Sequence, residues 1–307
     1  EEEADYLDRF PSRVDSVAGA YTSLEWQPTP AVRVAPGVRA DVYHSLDTSQ
    51  VGLSPRISAE FVLSPRWTAL HGFGVADQPP SAALPRPGVT PKLGAGLQRA
   101  FQSNAGVRFQ VPDVIMLQAL VFQSALFNLS DQPGVSRIDN GDDSISDSSR
   151  STGAARGVEL LIQRSFARRL SGYLSYTLSY SRRSVERAEG PSSFDRRHVL
   201  SGAVAYRFGH GFRAGLRGNY YTGLPADVAY LEAAKDPPRT SPFYRLDVRA
   251  EKRWQFGERG AYWAIVLEVL NATLEKEALG KSCNAYTCKE DEVGPLTIPS
   301  LGVEVAF

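Results

Sequence analysis

Along this chain hydrophobic and polar residues alternate with a period of two. From Tyr244 to Phe256 the even positions read Tyr244, Leu246, Val248, Ala250, Lys252, Trp254 and Phe256. The odd positions read Arg245, Asp247, Arg249, Glu251 and Arg253. Successive side chains of an extended strand point to opposite faces, so this segment predicts a strand with one greasy side and one charged side. The same alternation runs from Val32 to Val42, from Leu200 to Phe208 and from Phe212 to Tyr220. Helical periodicity is nowhere convincing. The pattern predicts about thirteen strands, with cores at 16–27, 31–44, 55–64, 66–76, 100–110, 114–127, 155–165, 169–182, 197–208, 211–222, 243–256, 261–272 and 299–307. Each is close to the ~9–11 residues that a tilted strand needs to cross a bilayer.

The connections between these strands alternate in length. Short ones fall at 28–30, 64–65, 111–113, 167–168, 209–210 and 257–260; long ones fall at 45–54, 77–99, 128–154, 183–196, 223–242 and 273–298. A barrel of the bacterial outer membrane has tight periplasmic turns and extended extracellular loops, which gives that rhythm, whereas a soluble sandwich has no reason to keep it. The aromatics agree. All four tryptophans lie beside short turns, and Trp26, Trp67, Phe208, Phe212, Trp254, Phe256, Tyr262 and Trp263 form a candidate periplasmic girdle, joined by Phe109. Amphipathic rings collect at membrane interfaces. The opposite strand ends carry mostly tyrosine: Tyr43, Tyr180, Tyr220, Tyr221 and Tyr244. The fold class expected is therefore all-β, a transmembrane antiparallel β-barrel with short periplasmic turns and long extracellular loops, in the outer membrane of a Gram-negative-type bacterium.

Composition fits this reading. The most apolar run, Val114 to Phe122, is interrupted by Gln118, so no stretch reaches the ~18 apolar residues of a spanning helix. The chain carries 34 basic and 34 acidic residues, a balance that argues against a nucleic-acid partner. Cys283 and Cys288, its only cysteines, lie five apart in a polar stretch. They read as a small local disulfide in an oxidising compartment, two free thiols being the alternative. Cysteine and histidine are too few for a zinc site, and neither a metal nor a cofactor is expected. No signal peptide is visible after the acidic start at Glu1.

The last residues put Leu301, Val303, Val305 and Phe307 on one face. A closing amphipathic strand that ends in Phe resembles the signal by which outer-membrane barrels are handed to their assembly machinery. With Phe307 on the periplasmic side, the first strand starts on the extracellular side. Single-chain bacterial barrels have even strand numbers. The expectation is that 1–15 is the remnant of an extracellular loop and 16–307 the C-terminal part of a longer barrel. A fourteenth strand over 5–14 is the alternative.

Several stretches resemble the C-terminal barrel of TonB-dependent outer-membrane receptors. They are Phe194-Asp-Arg-Arg-His-Val-Leu-Ser-Gly202, the strand patterns at 154–164, 242–254 and 263–273, and the terminal Pro299-Ser-Leu-Gly-Val-Glu-Val-Ala-Phe307. The resemblance implies a barrel of about twenty-two strands, of which about nine are not in this chain. It also implies uptake of a scarce solute such as a siderophore, cobalamin or oligosaccharide, powered through a TonB-type coupler. Neither a plug domain nor a TonB box is recognisable here, so the missing strands and plug, or another chain, are expected partners, together with outer-membrane lipid and the assembly machinery. The alternatives are a structural barrel in a multi-protein complex and a passive porin.

The candidate lumen-facing set is Arg33, Arg39, Asp41, Arg197, Arg207, Arg213, Arg217, Arg245, Asp247, Arg249, Glu251, Arg253 and Glu304. Both signs are present, so it reads as a salt-bridge lattice holding the wall or a plug, with an arginine-lined anion path as the alternative. Residues 139–147 cluster carboxylates around a glycine but lack the terminal Glu of an EF-hand, and read as a solvated loop rather than a calcium site. None of His44, His71, His198 and His210 has a nucleophile beside it in a recognisable motif, and enzyme activity is not expected.

Overall fold

The computed structural model describes residues 14–45, 47–80, 93–129, 150–165, 169–185, 188–228, 237–256, 261–283 and 287–306. Expectations that fall on 1–13, on 139–147, on the turns at 167–168 and 257–260, and on Phe307 lie outside them.

The strands are β1 (Asp15–Ser23), β2 (Trp26–Thr29), β3 (Val32–Ser45), β4 (Thr48–Ser64), β5 (Trp67–Gln78), β6 (Gln98–Val111), β7 (Ile115–Leu129), β8 (Ser151–Arg164) and β9 (Leu170–Val185). They continue with β10 (Ala188–Pro191), β11 (His198–Gly209), β12 (Phe212–Tyr221), β13 (Asp227–Val228), β14 (Phe243–Gln255), β15 (Tyr262–Leu270), β16 (Glu277–Cys283), β17 (Cys288–Val293) and β18 (Ile298–Ala306). Among the described residues a 15-stranded antiparallel sheet runs β1-β3-β4-β5-β6-β7-β8-β9-β11-β12-β14-β15-β18, with β2 on β3 and β10 on β9. The strands of that path coincide with the thirteen expected from the alternation. A second, three-stranded sheet, β13-β16-β17, is built from two of the long connections.

The register explains why alternation survives across so many strands. Leu117 pairs with Ile162, Ile162 with Leu174, and Val204 with Leu216, which pairs with Val248. Each apolar residue thereby meets apolar neighbours on one face. A slip by a single residue would turn that face over to the charges. The face is also uncovered: Val121, Leu160, Leu174, Val204, Leu216, Leu267, Leu301 and Val303 are all exposed, whereas Asp41, Asp247 and Glu251 on the other face are buried. A soluble protein has the opposite distribution.

Two differences from the expected layout have local causes. The connection at 45–54 is not a long loop, because Ser45 pairs directly with Thr48 and the alternation continues through Gln50, Val51, Gly52 and Leu53 as a tall hairpin. The first strand, expected at 16–27, is broken into β1 and β2 at Leu24–Glu25; both pieces pair with β3, the second through an irregular register. Elsewhere the turns suit their residues. His210 and Gly211 join β11 to β12 with φ of 51° and 79°, as a two-residue hairpin turn demands. A Cβ at Gly211 would also stand 2.0 Å from the Arg253 carbonyl oxygen.

On the charged face, Phe122 lies over Gly157, its partner across β7 and β8. A Cβ added at Gly157 would sit 2.7 Å from the Phe122 ring and 2.2 Å from the Leu178 carbonyl oxygen. Overpacking of this kind costs about 1–3 kcal/mol. Gly157→Ala is therefore expected to lower the denaturant midpoint of the full-length protein in micelles, and an unchanged midpoint would show that the close fit is dispensable.

Candidate functional site: a charge ladder and a knitted cap

Strand periodicity places residues i and i+2 on one face, so alternating charges along β14 must meet. Arg245 reaches Asp247 at 3.1 Å, Arg249 reaches Glu251 at 3.4 Å, and Arg253 reaches the same Glu251 at 2.7 Å. Neighbouring strands extend the ladder. Arg217 on β12 binds Asp247 at 2.7 Å, and Arg249 binds Glu304 on β18 at 2.6 Å and Glu268 on β15 at 3.6 Å. The Asp247 carboxylate, 4% exposed, also accepts a hydrogen bond from the Asn271 N–H at 2.8 Å. Around these groups lies a cavity of about 350 Å³, lined by Ala205, Arg213, Arg249, Glu251, Arg253 and Glu304 among others. Arg207 and Arg213 pair across β11 and β12, and Arg213 in turn faces Glu251.

At the other end of the sheet Arg39 grips Asp41 with two hydrogen bonds, at 2.6 and 2.7 Å. Arg33 stands opposite Glu60 in the register, yet Glu60 is taken by Arg108 at 3.5 Å. Arg197 approaches Asp195 at 3.9 Å and the Tyr180 ring at 5.7 Å, at the end of the sheet where the long connections begin. Glu268, Glu60 and Arg108 were not among the sequence candidates. Glu268 was within reach, because Ala264, Val266 and Glu268 share one phase of β15. Tyr262 requires a correction. Its ring lies 3.7 Å beneath the Arg253 guanidinium on the charged face, one position out of phase with Trp263. The alternation that makes Trp263 apolar-facing necessarily turns Tyr262 inward. The other girdle candidates, Trp26, Trp67, Phe208, Phe212, Trp254, Phe256 and Trp263, are exposed. Trp254 and Trp263 stack at 4.1 Å. In β18, Leu301, Val303 and Val305 are exposed on one phase.

The long connections are tied to one another. Arg239 donates to the Asp195 carbonyl at 2.6 Å and to the Gly223 carbonyl at 3.1 Å. Lys281 donates to the Arg239 carbonyl at 3.0 Å and to Glu290 at 3.0 Å. Glu277 accepts from the Tyr221 hydroxyl and pairs with Arg196 at 3.3 Å, while the Arg196 guanidinium lies 3.7 Å over the Tyr221 ring. A disulfide between Cys283 and Cys288 closes the β16–β17 hairpin. Among the described residues no group of three or more His, Cys, Asp or Glu side chains is placed to hold a metal ion.

The comparisons with known proteins bear on this arrangement directly. The family model described as "TonB dependent receptor-like, beta-barrel" matches residues 3–272. The chain belongs to that family. TonB-dependent receptors are transporters and receptors rather than enzymes, and their fold is the barrel wall seen here. Among solved structures, the ferric-catecholate import receptor Fiu of E. coli K12, in its closed form, superposes with a TM-score of 0.68 at 16% identity, covering 95% of this chain and 45% of that one. The ferric yersiniabactin uptake receptor FyuA of Yersinia pestis gives 0.64 at 18% identity, again covering 95% and 45%. The ferripyoverdine receptor of the outer membrane of Pseudomonas aeruginosa gives 0.62 at 13%, covering 86% and 35%. This chain thus spans under half the length of these receptors. No curated relative matches.

The ladder and the cap give separate expectations. Removing the shared acceptor by Asp247→Ala leaves Arg245, Arg217 and the buried Asn271 N–H without it, a loss of about 2–4 kcal/mol for a buried charged network. Arg217→Ala, at a half-exposed guanidinium, should cost well under half as much. Denaturant titrations of the two variants compare them, and equal losses would show that Asp247 is not the hub. In the cap, the Lys281 ammonium, donating to Glu290, holds that carboxyl below its ordinary value of 4.5 against the opposing effect of burial. A carboxylate with a lowered pKa stabilises fully above its unfolded value, and that contribution fades as pH falls through the folded value. Hydrogen-exchange protection of the Ser241 amide, which donates to Glu290 at 3.1 Å, should hold steady from about pH 7 to 5 and decline below about 4.5. Glu290→Gln should abolish the pH step.

Proposed function

We propose that residues 14–306 form part of the wall, lumen lining and extracellular cap of an outer-membrane receptor that imports a scarce solute of the ferric-chelate class. The family match carries this reading. The inside-out distribution of the sheet supports it, with an apolar outer face suited to hydrocarbon and a salt-bridged inner face suited to a watery or protein-filled lumen. The similar solved structures are named for ferric catecholate, ferric yersiniabactin and ferripyoverdine, and those names support a ligand of this class. In this reading the lumen holds a plug supplied by the full-length protein, and a TonB-type coupler provides the energy. The knitted connections offer a pre-organised rim where a ligand is captured without first ordering three separate loops.

The test is uptake of radiolabelled ferric chelates by cells carrying or lacking the full-length gene, under iron limitation. Uptake is expected to depend on the gene and to collapse when the proton gradient is discharged. Uptake indifferent to the gradient would indicate a passive pore, and a gene without effect on any ferric chelate would overturn the ligand class.

A further inference from the structure

Charged side chains on the lipid-facing phase of a barrel are costly near the bilayer midplane and cheap only at its edges. On that phase β8 reads Arg156, Val158, Leu160, Ile162, Arg164. The eight-residue separation of the two arginines is about 26 Å along the strand, and strand tilt reduces it to roughly 20 Å of height. The pair therefore stands close to the two edges of an apolar band about 25 Å tall, near enough for the long side chains to reach out of it. Arg164 occupies the short-turn side, where it donates to the Leu170 carbonyl at 3.0 Å. Arg156 occupies the side of the long connections, is exposed, and makes no hydrogen bond or ion pair among the described residues.

Arg156 has polar company. The register aligns Gln123 with Arg156 and Arg156 with Tyr180, all on one face, and Arg182 follows Tyr180 as the next residue of that phase on β9. Tyr180 is 44% exposed, and the Arg182 side chain is 53% exposed in a rim pair with Glu189 at 2.9 Å. Such an exposed ion pair is worth little and is readily exchanged for a stronger partner. Directly beneath this row stand Val121 and Val158, both exposed.

We propose that Arg156 and Arg182, assisted by Gln123 and Tyr180, hold the phosphate of a membrane lipid headgroup on the outer wall, in the leaflet next to the long connections. Guanidinium groups bind phosphate oxygens through paired, charge-assisted hydrogen bonds, and the amide and phenol supply further donors. The lipid's acyl chain continues down the valines, which is why the occupant is an amphiphile and not free phosphate. This inference rests on the membrane reading given above.

The full-length protein in phosphatidylcholine nanodiscs, offered bis-phosphorylated or dephosphorylated lipid A, tests it by native mass spectrometry of retained lipid. Wild type should retain the phosphorylated form about tenfold more. The double variant Arg156→Gln/Arg182→Gln should lose that preference, Arg164→Gln should keep it, and millimolar inorganic phosphate should not displace the lipid. The site is overturned if wild type retains both lipids alike, if the double variant keeps the preference, if Arg164→Gln loses it equally, or if inorganic phosphate competes. Should the double variant fail to insert, the two-lipid comparison on wild type decides. Heat-dependent migration on gels reports insertion separately. Wild type that inserts without a preference overturns the site alone, and wild type that never inserts overturns the membrane reading beneath it.

Discussion

A peptide group that faces hydrocarbon has no water to bond with, so every N–H and C=O in the spanning segments must find a partner in the protein. Among the described residues no helix is long and apolar enough to cross a membrane, and pairing with neighbouring strands is the other solution. The unbroken antiparallel path from β1 to β18 is its consequence. Everything else follows from satisfying the backbone this way. Extended strands send alternate side chains to two different solvents, and each residue must suit the one it meets.

On the polar face that demand produces the charge ladder. Charges that leave bulk water need opposite charges close by, and β14 provides them two residues apart on its own length. Asp247, Glu251 and Arg249 each serve more than one partner, so the lattice crosses β12, β14, β15 and β18 rather than breaking into separate pairs. Where an apolar ring does face inward, as Phe122 does, a glycine beneath it supplies the room. These are the same pressures that make soluble cores close-packed, applied to a wall one strand thick.

The long connections obey a different logic. Their ion pairs are mostly part-exposed, and such pairs are individually weak. Here they are combined. Arg239 bridges the connections at 183–196 and 223–242, Lys281 ties that at 273–298 to the Arg239 carbonyl while pairing with Glu290 within its own hairpin, and the disulfide closes that hairpin. In the proposed function, a rim held by shared partners would lose little conformational freedom when a ligand arrives, which suits capture of a dilute solute.

From the sequence alone one could read the strands, their two faces and most of the ladder, because a period of two is a local property that no distant contact alters. The same rule puts Lys252 on the apolar face, where its ammonium lies 4.0 Å from the Phe212 ring, at the short-turn edge. Tyr262 lies near a turn as a girdle residue would, but it is one residue out of phase with Trp263, and phase decides which face it takes. The tall β3–β4 hairpin reads as a loop in the sequence because residues 45–54 are mostly polar, although they keep alternating. What the sequence could not show is which residues meet across distance. Glu277 meeting Tyr221 and Arg196, Arg239 meeting Asp195, and Glu304 meeting Arg249 depend on the register and on how the connections fold back. Those are properties of the assembled sheet, and no spacing along the chain encodes them.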